Sequence, residues 1–205
     1  MGKLKVKKSD VWIDMTPMSD VMVLLLTFFM LTSTFVKNEP VKVNQPQSVS
    51  EIKIPEKNVL NIIVGKDGKV FMSMDNQNDV LTVVQDMDSK FNLSLSAAEL
   101  KKFQSDPMWG MGLNKLKTYL NLPNEKMTEA ITGAEAGIPL DSIDGGKSEF
   151  QEWVTSAVDN TEDLKIAIKA DSDTPYSSIK KVMSELQDMD QSRYYLITSL
   201  KTGEE

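Results

Sequence analysis

Between Met15 and Val36 one side chain alone is ionisable. In the stretch TPMSDVMVLLLTFFML, Asp20 sits among methionine, valine, leucine and phenylalanine. A carboxyl group that ionises near pH 4 in water rises in pKa when it is desolvated, toward the range where it takes up and gives back a proton near neutrality. That is proton-relay chemistry. Asp20, Thr27 and Thr34 follow one another at intervals of seven, and a heptad returns to within about 20° of its starting direction on a helix. With Thr16 four residues before the acid, these positions form a polar seam along one face. Threonines alone are unremarkable in such a helix, because their hydroxyls bond back to its carbonyls. An acid in the same seam is costly against lipid and is suited to other helices. The plainer alternative is local: Thr16 as N-cap, Pro17 as first helical residue, and Asp20 as a first-turn acid favoured by the helix dipole.

The rest of the composition removes other chemistries. The 205-residue chain has no cysteine and no histidine, which excludes thiol nucleophiles, disulfides, histidine-dependent triads and most zinc sites. No metal or cofactor is expected. Its formal charge is −7, with Lys3, Lys5, Lys7 and Lys8 gathered at the start and an acidic remainder. An acidic bulk argues against nucleic acid, which calls for a basic face.

The element that must carry Asp20 is a helix over residues 15–36, whose 22 residues reach ~33 Å at ~1.5 Å each, enough to cross a bilayer. A signal peptide shares the basic start and the apolar middle. The apolar part is too long for one, however, and Lys37-Asn38-Glu39-Pro40 lacks a small-x-small cleavage pattern. The four early lysines then place the N-terminus in the cytoplasm and everything from about residue 37 onward outside the inner membrane. This predicts a cytoplasmic tail over 1–14, a transmembrane helix over 15–36, an extended periplasmic linker over 37–58, a periplasmic domain over 59–200 and a short tail over 201–205.

Two further stretches resemble, as the acid-bearing helix does, the ExbD/TolR family of biopolymer transport proteins. VKVNQPQS (41–48) follows the apolar run, and LKIAIKADSDTPYSSIKKVMSELQDMDQSRYYLIT (164–198) has the look of that family's closing strand, helix and strand. With NVLNIIVGKDGKVFMSM (58–74), the similarity covers residues 10–74 and about 148–200. The resemblance, most of all to ExbD, implies that Asp20 is the proton carrier of an inner-membrane motor. It implies partnership with a multi-span ExbB- or TolQ-like protein, a TonB-like protein and a second copy of the chain, and no enzymatic activity. Val41, Val43, Asn44 and Pro46 match the family's post-membrane segment that engages TonB, with Gln45 where leucine is usual. A TolR-like role in envelope constriction and a membrane-tethered scaffold are the alternatives.

For the exported part, the patterns predict a small α+β domain, a mixed sheet with helices packed on one side. Val59–Val64 and Val70–Met74 flank Asp67-Gly68 as a hairpin. Lys165–Ala170 and Tyr194–Ser199 read as strands around a helix opening at Thr174-Pro175, with an apolar stripe at Ile179, Val182, Met183 and Leu186. The linker's alternating Val41, Val43 and Ile52, Ile54 suit either a spacer or a strand added to a partner sheet.

Residues 75–147 are a mostly helical insertion, read either as a partner-binding or dimer-stabilising lobe or as passive elaboration. Ser96–Glu99 is a capping box for a helix that ends before Pro107, and Leu113, Leu116 and Leu120 mark a second helix. A mobile segment is expected at TGAEAGIPLDSIDGG (132–146). Several motifs fail on inspection. Gly146-Lys147-Ser148 lacks the P-loop glycine five positions earlier, where Asp141 stands. Asp75, Gln77, Asp79 and Asp86 miss the glycine and glutamate of a calcium loop. Asp171 and Asp173 read as a turn leading into a helix.

Overall fold

The computed structural model describes residues 15–33, 40–48, 57–142 and 146–200. The chain divides into two units, 1–37 and 38–205.

In the first unit, α1 runs Thr16–Thr32, with Met15 at the N-cap position and Pro17 in the first turn. The start is one residue later than the helix expected over 15–36. No acid lies in the first turn, so Asp20 belongs to the second, and the plainer explanation of it as a dipole-favoured first-turn acid loses its footing. Thr34, Phe35 and Val36 lie outside the described residues. No described helix is long and apolar enough to cross a membrane: the 17 residues of α1 span ~26 Å, short of a ~30 Å hydrocarbon core.

The second unit is an α+β domain around one mixed sheet. Its strands are β2 (Val59–Val64), β3 (Val70–Met74), β4 (Lys165–Ala170) and β5 (Tyr194–Ile197), in the order β3-β2-β4-β5. The β2–β3 pair is the expected antiparallel hairpin, and Gly68 takes φ +75° in its turn. A Cβ on Gly68 would sit 2.5 Å from Ser178 Oγ, a second reason for glycine there. Strands β4 and β5 run parallel to β2, so each needs a crossover. Helix α7 (Tyr176–Asp188) supplies the second crossover, burying Val182 and Leu186. Two two-residue strands, β1 (Gln47–Ser48) and β6 (Ser199–Leu200), pair in parallel beside this sheet.

The first crossover, from β3 back to β4, contains the stretch 75–147 that the sequence marks as an insertion and continues through a further helix. It holds α2 (Gln77–Phe91), α3 (Ala97–Ser105), α4 (Leu113–Leu120), α5 (Asn124–Thr132) and then α6 (Glu149–Asn160). The Ser96–Glu99 capping box is formed: Ser96 N–H donates to Glu99 Oε2 at 2.7 Å, and Glu99 N–H donates to Ser96 Oγ at 3.3 Å. Ser148, the last residue of the failed P-loop match, is the N-cap of α6 in a second capping box with Gln151. Asn76 caps α2 with its side chain alone, accepting Asn78 N–H at 3.1 Å, and Asp79 and Asp86 lie on that helix and not in a calcium loop.

This crossover is no separate lobe. Phe103 of α3, Trp153 of α6 and Trp109 between α3 and α4 form one aromatic cluster with centroids 5.5–5.8 Å apart, the Phe103 and Trp153 rings within 6° of parallel. The cluster belongs to the same core as Leu60, Ile62 and Met72 of the sheet. Trp109 also closes the free edge of β3. Met72 N–H donates to Trp109 O, and Trp109 N–H donates back to Met72 O, both at 2.8 Å. Ile138 N–H donates to Val70 O at 2.9 Å, so part of the segment expected to be mobile is anchored to the same edge. Residues 143–145 of that segment lie outside the described residues. Gly110 is held against the Phe71 ring, where a Cβ would fall 2.1 Å from a ring carbon.

Helices on one side do not describe the whole sheet. Every residue of β2 and β3 is buried, and the alternation of the register puts Leu60, Ile62 and Met72 on one face and Ile63 and Phe71 on the other. Both faces are therefore covered on that half. A single layer of helices would have left Ile63 and Phe71 in water.

Candidate functional site: an acid-bearing helix and a clasped strap

On α1 three hydroxyls, those of Ser19, Thr27 and Thr32, are spent locally. Ser19 Oγ donates to Met15 O at 3.1 Å, Thr27 Oγ1 to Val23 O at 2.9 Å and Leu24 O at 3.0 Å, and Thr32 Oγ1 to Phe28 O at 2.8 Å. Such back-bonding lets a hydroxyl sit on an apolar helix without a partner. It leaves Asp20 as the ionisable group among the described residues of α1. Thr16 and Thr27 lie on the same face as Asp20 by helical spacing, whereas Thr34 is outside the described residues. No residue of α1 is buried, and its surface is made of large apolar side chains such as Leu26, Phe29 and Leu31. An apolar surface of that extent with an acid on one face needs a covering that its own unit does not supply.

The post-helix segment is extended, with the side chains of Val41 and Val43 half-buried against the domain core and those of Lys42 and Asn44 exposed. This strap, residues 40–48, is fixed by its backbone at Asn44. Asn44 N–H donates to Asp171 Oδ2 at 2.8 Å, and Ser172 N–H donates to Asn44 O at 2.8 Å. Further on, Gln47 and Ser48 pair with Ser199 and Leu200. The strap thus behaves as a strand added to its own domain. Of the four residues matched to a partner-engaging motif, Val41, Val43 and Asn44 are held in this way, and the side chain of Pro46 is exposed.

Asp171 closes the C-terminal end of β4. Its side chain is fully buried, and its other oxygen, Oδ1, accepts Asp173 N–H at 3.0 Å, which is the turn the sequence indicates. Lys66 of the hairpin turn stands 4.0 Å from Asp171 and 2.9 Å from Asp173. The backbone N–H groups of Asp173 and Asn44 hold the Asp171 carboxyl below its usual range, against the opposing effect of burial and with help from Lys66. Sequence reading found the turn and missed the clasp, because the second oxygen is satisfied by a residue 127 positions away.

The sign of the pH effect follows. An acid whose folded pKa is depressed adds stability above its unfolded value of about 3.9, and that stability is lost as pH falls through the lower folded value. Protection of the Asn44 amide against hydrogen exchange, corrected for intrinsic rate, should therefore stay level from neutrality to about pH 5 and collapse only below about pH 4.

In sequence order, the described residues give an acid-bearing apolar helix, an extended strap and a small α+β domain. The family model for biopolymer transport protein ExbD/TolR matches residues 7–201, and the chain belongs to that family. It is similar to biopolymer transport protein exbD2 of Vibrio cholerae serotype O1 (strain ATCC 39315 / El Tor Inaba N16961), at 28% identity over 80 residues, 39% of this chain. That match spans 52% of the Vibrio protein, so the chain covers about half the length of the curated relative. No solved structure matches the chain significantly.

Proposed function

We propose that the chain is an ExbD-like subunit of an inner-membrane motor, in which Asp20 carries protons and a periplasmic TonB-like protein receives the work for outer-membrane import. The observation that carries this reading is α1 itself: an otherwise apolar helix with no residue buried, the hydroxyls of Ser19, Thr27 and Thr32 bonded back to backbone carbonyls, and one acid on its polar face. The sequence from Met15 to Val36 has the length of a bilayer crossing, of which α1 covers Thr16–Thr32. The four lysines before it favour a cytoplasmic N-terminus and a periplasmic second unit. Family membership and the likeness to a protein named exbD2 favour the import role over envelope constriction.

In this reading, multi-span ExbB- or TolQ-like subunits wall the polar seam off from lipid. A proton crossing on Asp20 delivers ~2.3 kcal/mol per 100 mV of membrane potential. Two copies of the chain within one ring would bring two such acids together, with titrations that belong to the pair. No covalent reaction is catalysed. The strap is the segment that meets the TonB-like partner, through Val41, Val43, Asn44 and Pro46. Purification of the full chain from its native membrane should bring a multi-span protein along in fixed ratio. Recovery of a solitary chain under conditions that preserve membrane complexes would overturn the proposal.

A further inference from the structure

We propose that Asp171 is the clasp that keeps the strap folded onto its own domain, and that an extended partner segment meets Val41, Val43 and Asn44 only once that clasp opens. The partner half of this inference rests on the function proposed above; the clasp half does not.

The strap is held unevenly. At its start, clefts lie beside it: one of about 260 Å3 with Pro40, Tyr119 and Met127 in its wall, and one of about 240 Å3 with Val41, Lys42, Phe71 and Thr132. Apolar side chains that border such space forgo part of the contact a closed core would give. At Asn44 the hold is of another kind, a backbone N–H on a buried carboxylate and a returning N–H from Ser172, each at 2.8 Å. Charge-assisted bonds of this sort are about twice as strong as neutral ones. Asp171 is also tied to Asp173 and to Lys66, so its position does not depend on the strap. The acceptor is thus held in place by its own domain, with or without the strap.

Once released, the strap offers what a sheet edge takes up: an extended backbone with free N–H and C=O groups, and β-branched side chains at alternate positions. The partner that fits is an exposed strand edge with an apolar groove beside it. While the strap is docked, the domain itself occupies that role. Residues Pro107 and Thr128, beside Pro40 in the first cleft, come from the crossover between β3 and β4, which thereby forms part of the strap's seat.

The absence of cysteine permits a clean test on the full chain in lipid nanodiscs. A single Val43→Cys is labelled with a thiol reagent in the otherwise natural sequence and together with Asp171→Asn or Asn44→Pro. Asp171→Asn removes the charge, and Asn44→Pro removes the donor N–H without touching the domain. Either should speed labelling at least about tenfold while near-ultraviolet circular dichroism stays native. A synthetic peptide of residues 38–50, NEPVKVNQPQSVS, should then bind the Asn44→Pro chain, whose Asp171 is vacant, and not the Asp171→Asn chain. Unchanged labelling in Asn44→Pro, or equal peptide binding by both variants, overturns the clasp. Faster labelling and selective peptide binding, with energised import in cells unaltered, would uphold the clasp and overturn the strap's part in partner engagement.

Discussion

Asp20→Asn should reduce energised import to the background level of cells that lack the protein, while expression and membrane insertion persist. Asparagine preserves the size of the side chain and its capacity to hydrogen-bond, and it has no proton to exchange in the accessible pH range. The comparison therefore isolates titration from packing. The rest of α1 cannot substitute, because it holds no other ionisable side chain and its hydroxyls at Ser19, Thr27 and Thr32 donate to the carbonyls of Met15, Val23, Leu24 and Phe28. Uptake assays of a scarce nutrient, paired with quantification of the protein in the membrane fraction, give the answer. Import that continues at the natural rate with Asp20→Asn defeats proton relay by this residue. A tether alone makes the opposite forecast: exchange of the whole helix for an unrelated leucine-rich one would then change little.

Trp153→Ala should destabilise the second unit as a whole. Trp153 is fully buried, stacked 5.8 Å from Phe103 and tilted by 47° at 5.8 Å from Trp109, at the point where the crossover helices meet the sheet. Truncation of a buried tryptophan costs about 3–5 kcal/mol, against a total of about 5–15 kcal/mol for a domain. The urea midpoint should fall by at least about a fifth, with near-ultraviolet and far-ultraviolet signals lost in one coincident transition. A transition in two steps, with the hairpin and β4 surviving loss of the helices, would mean that the crossover is an independent lobe. Trp109→Ala should act on the same core and open the β3 edge as well, and the double variant should not be additive. As a control, Tyr176→Ala, at a side chain 73% exposed, should change stability by less than about 0.5 kcal/mol.

Much of the architecture was legible from local pattern. The alternation in KIAIKA, the Asp67-Gly68 turn and the Ser96–Glu99 box each depend on residues within a few positions of one another, and each formed as expected. The helix around Asp20 was legible for the same reason, although the described helix stops at Thr32. What remained hidden involves partners distant in sequence. Nothing near Trp109 announces that it pairs with Met72, and nothing near Ser148 announces that its hydroxyl also donates to Glu185 at 2.7 Å. Sheet faces mislead similarly. Ile63 and Phe71 could be placed on a second face by alternation, but only long-range packing shows that this face is buried too.

The linear chain by itself settled the chemistry available: one acid in a long apolar run, no thiol, no imidazole, an acidic remainder and two short motifs akin to a transport family. Those properties are carried by residue identity and near-neighbour spacing, which folding does not alter. Tertiary structure decided the rest: that residues 75–147 complete the core of the domain, and that Asp171 grips a strap 127 positions earlier. Such decisions belong to the fold because they turn on which distant backbone groups and side chains meet once water is excluded, and no local periodicity encodes that meeting.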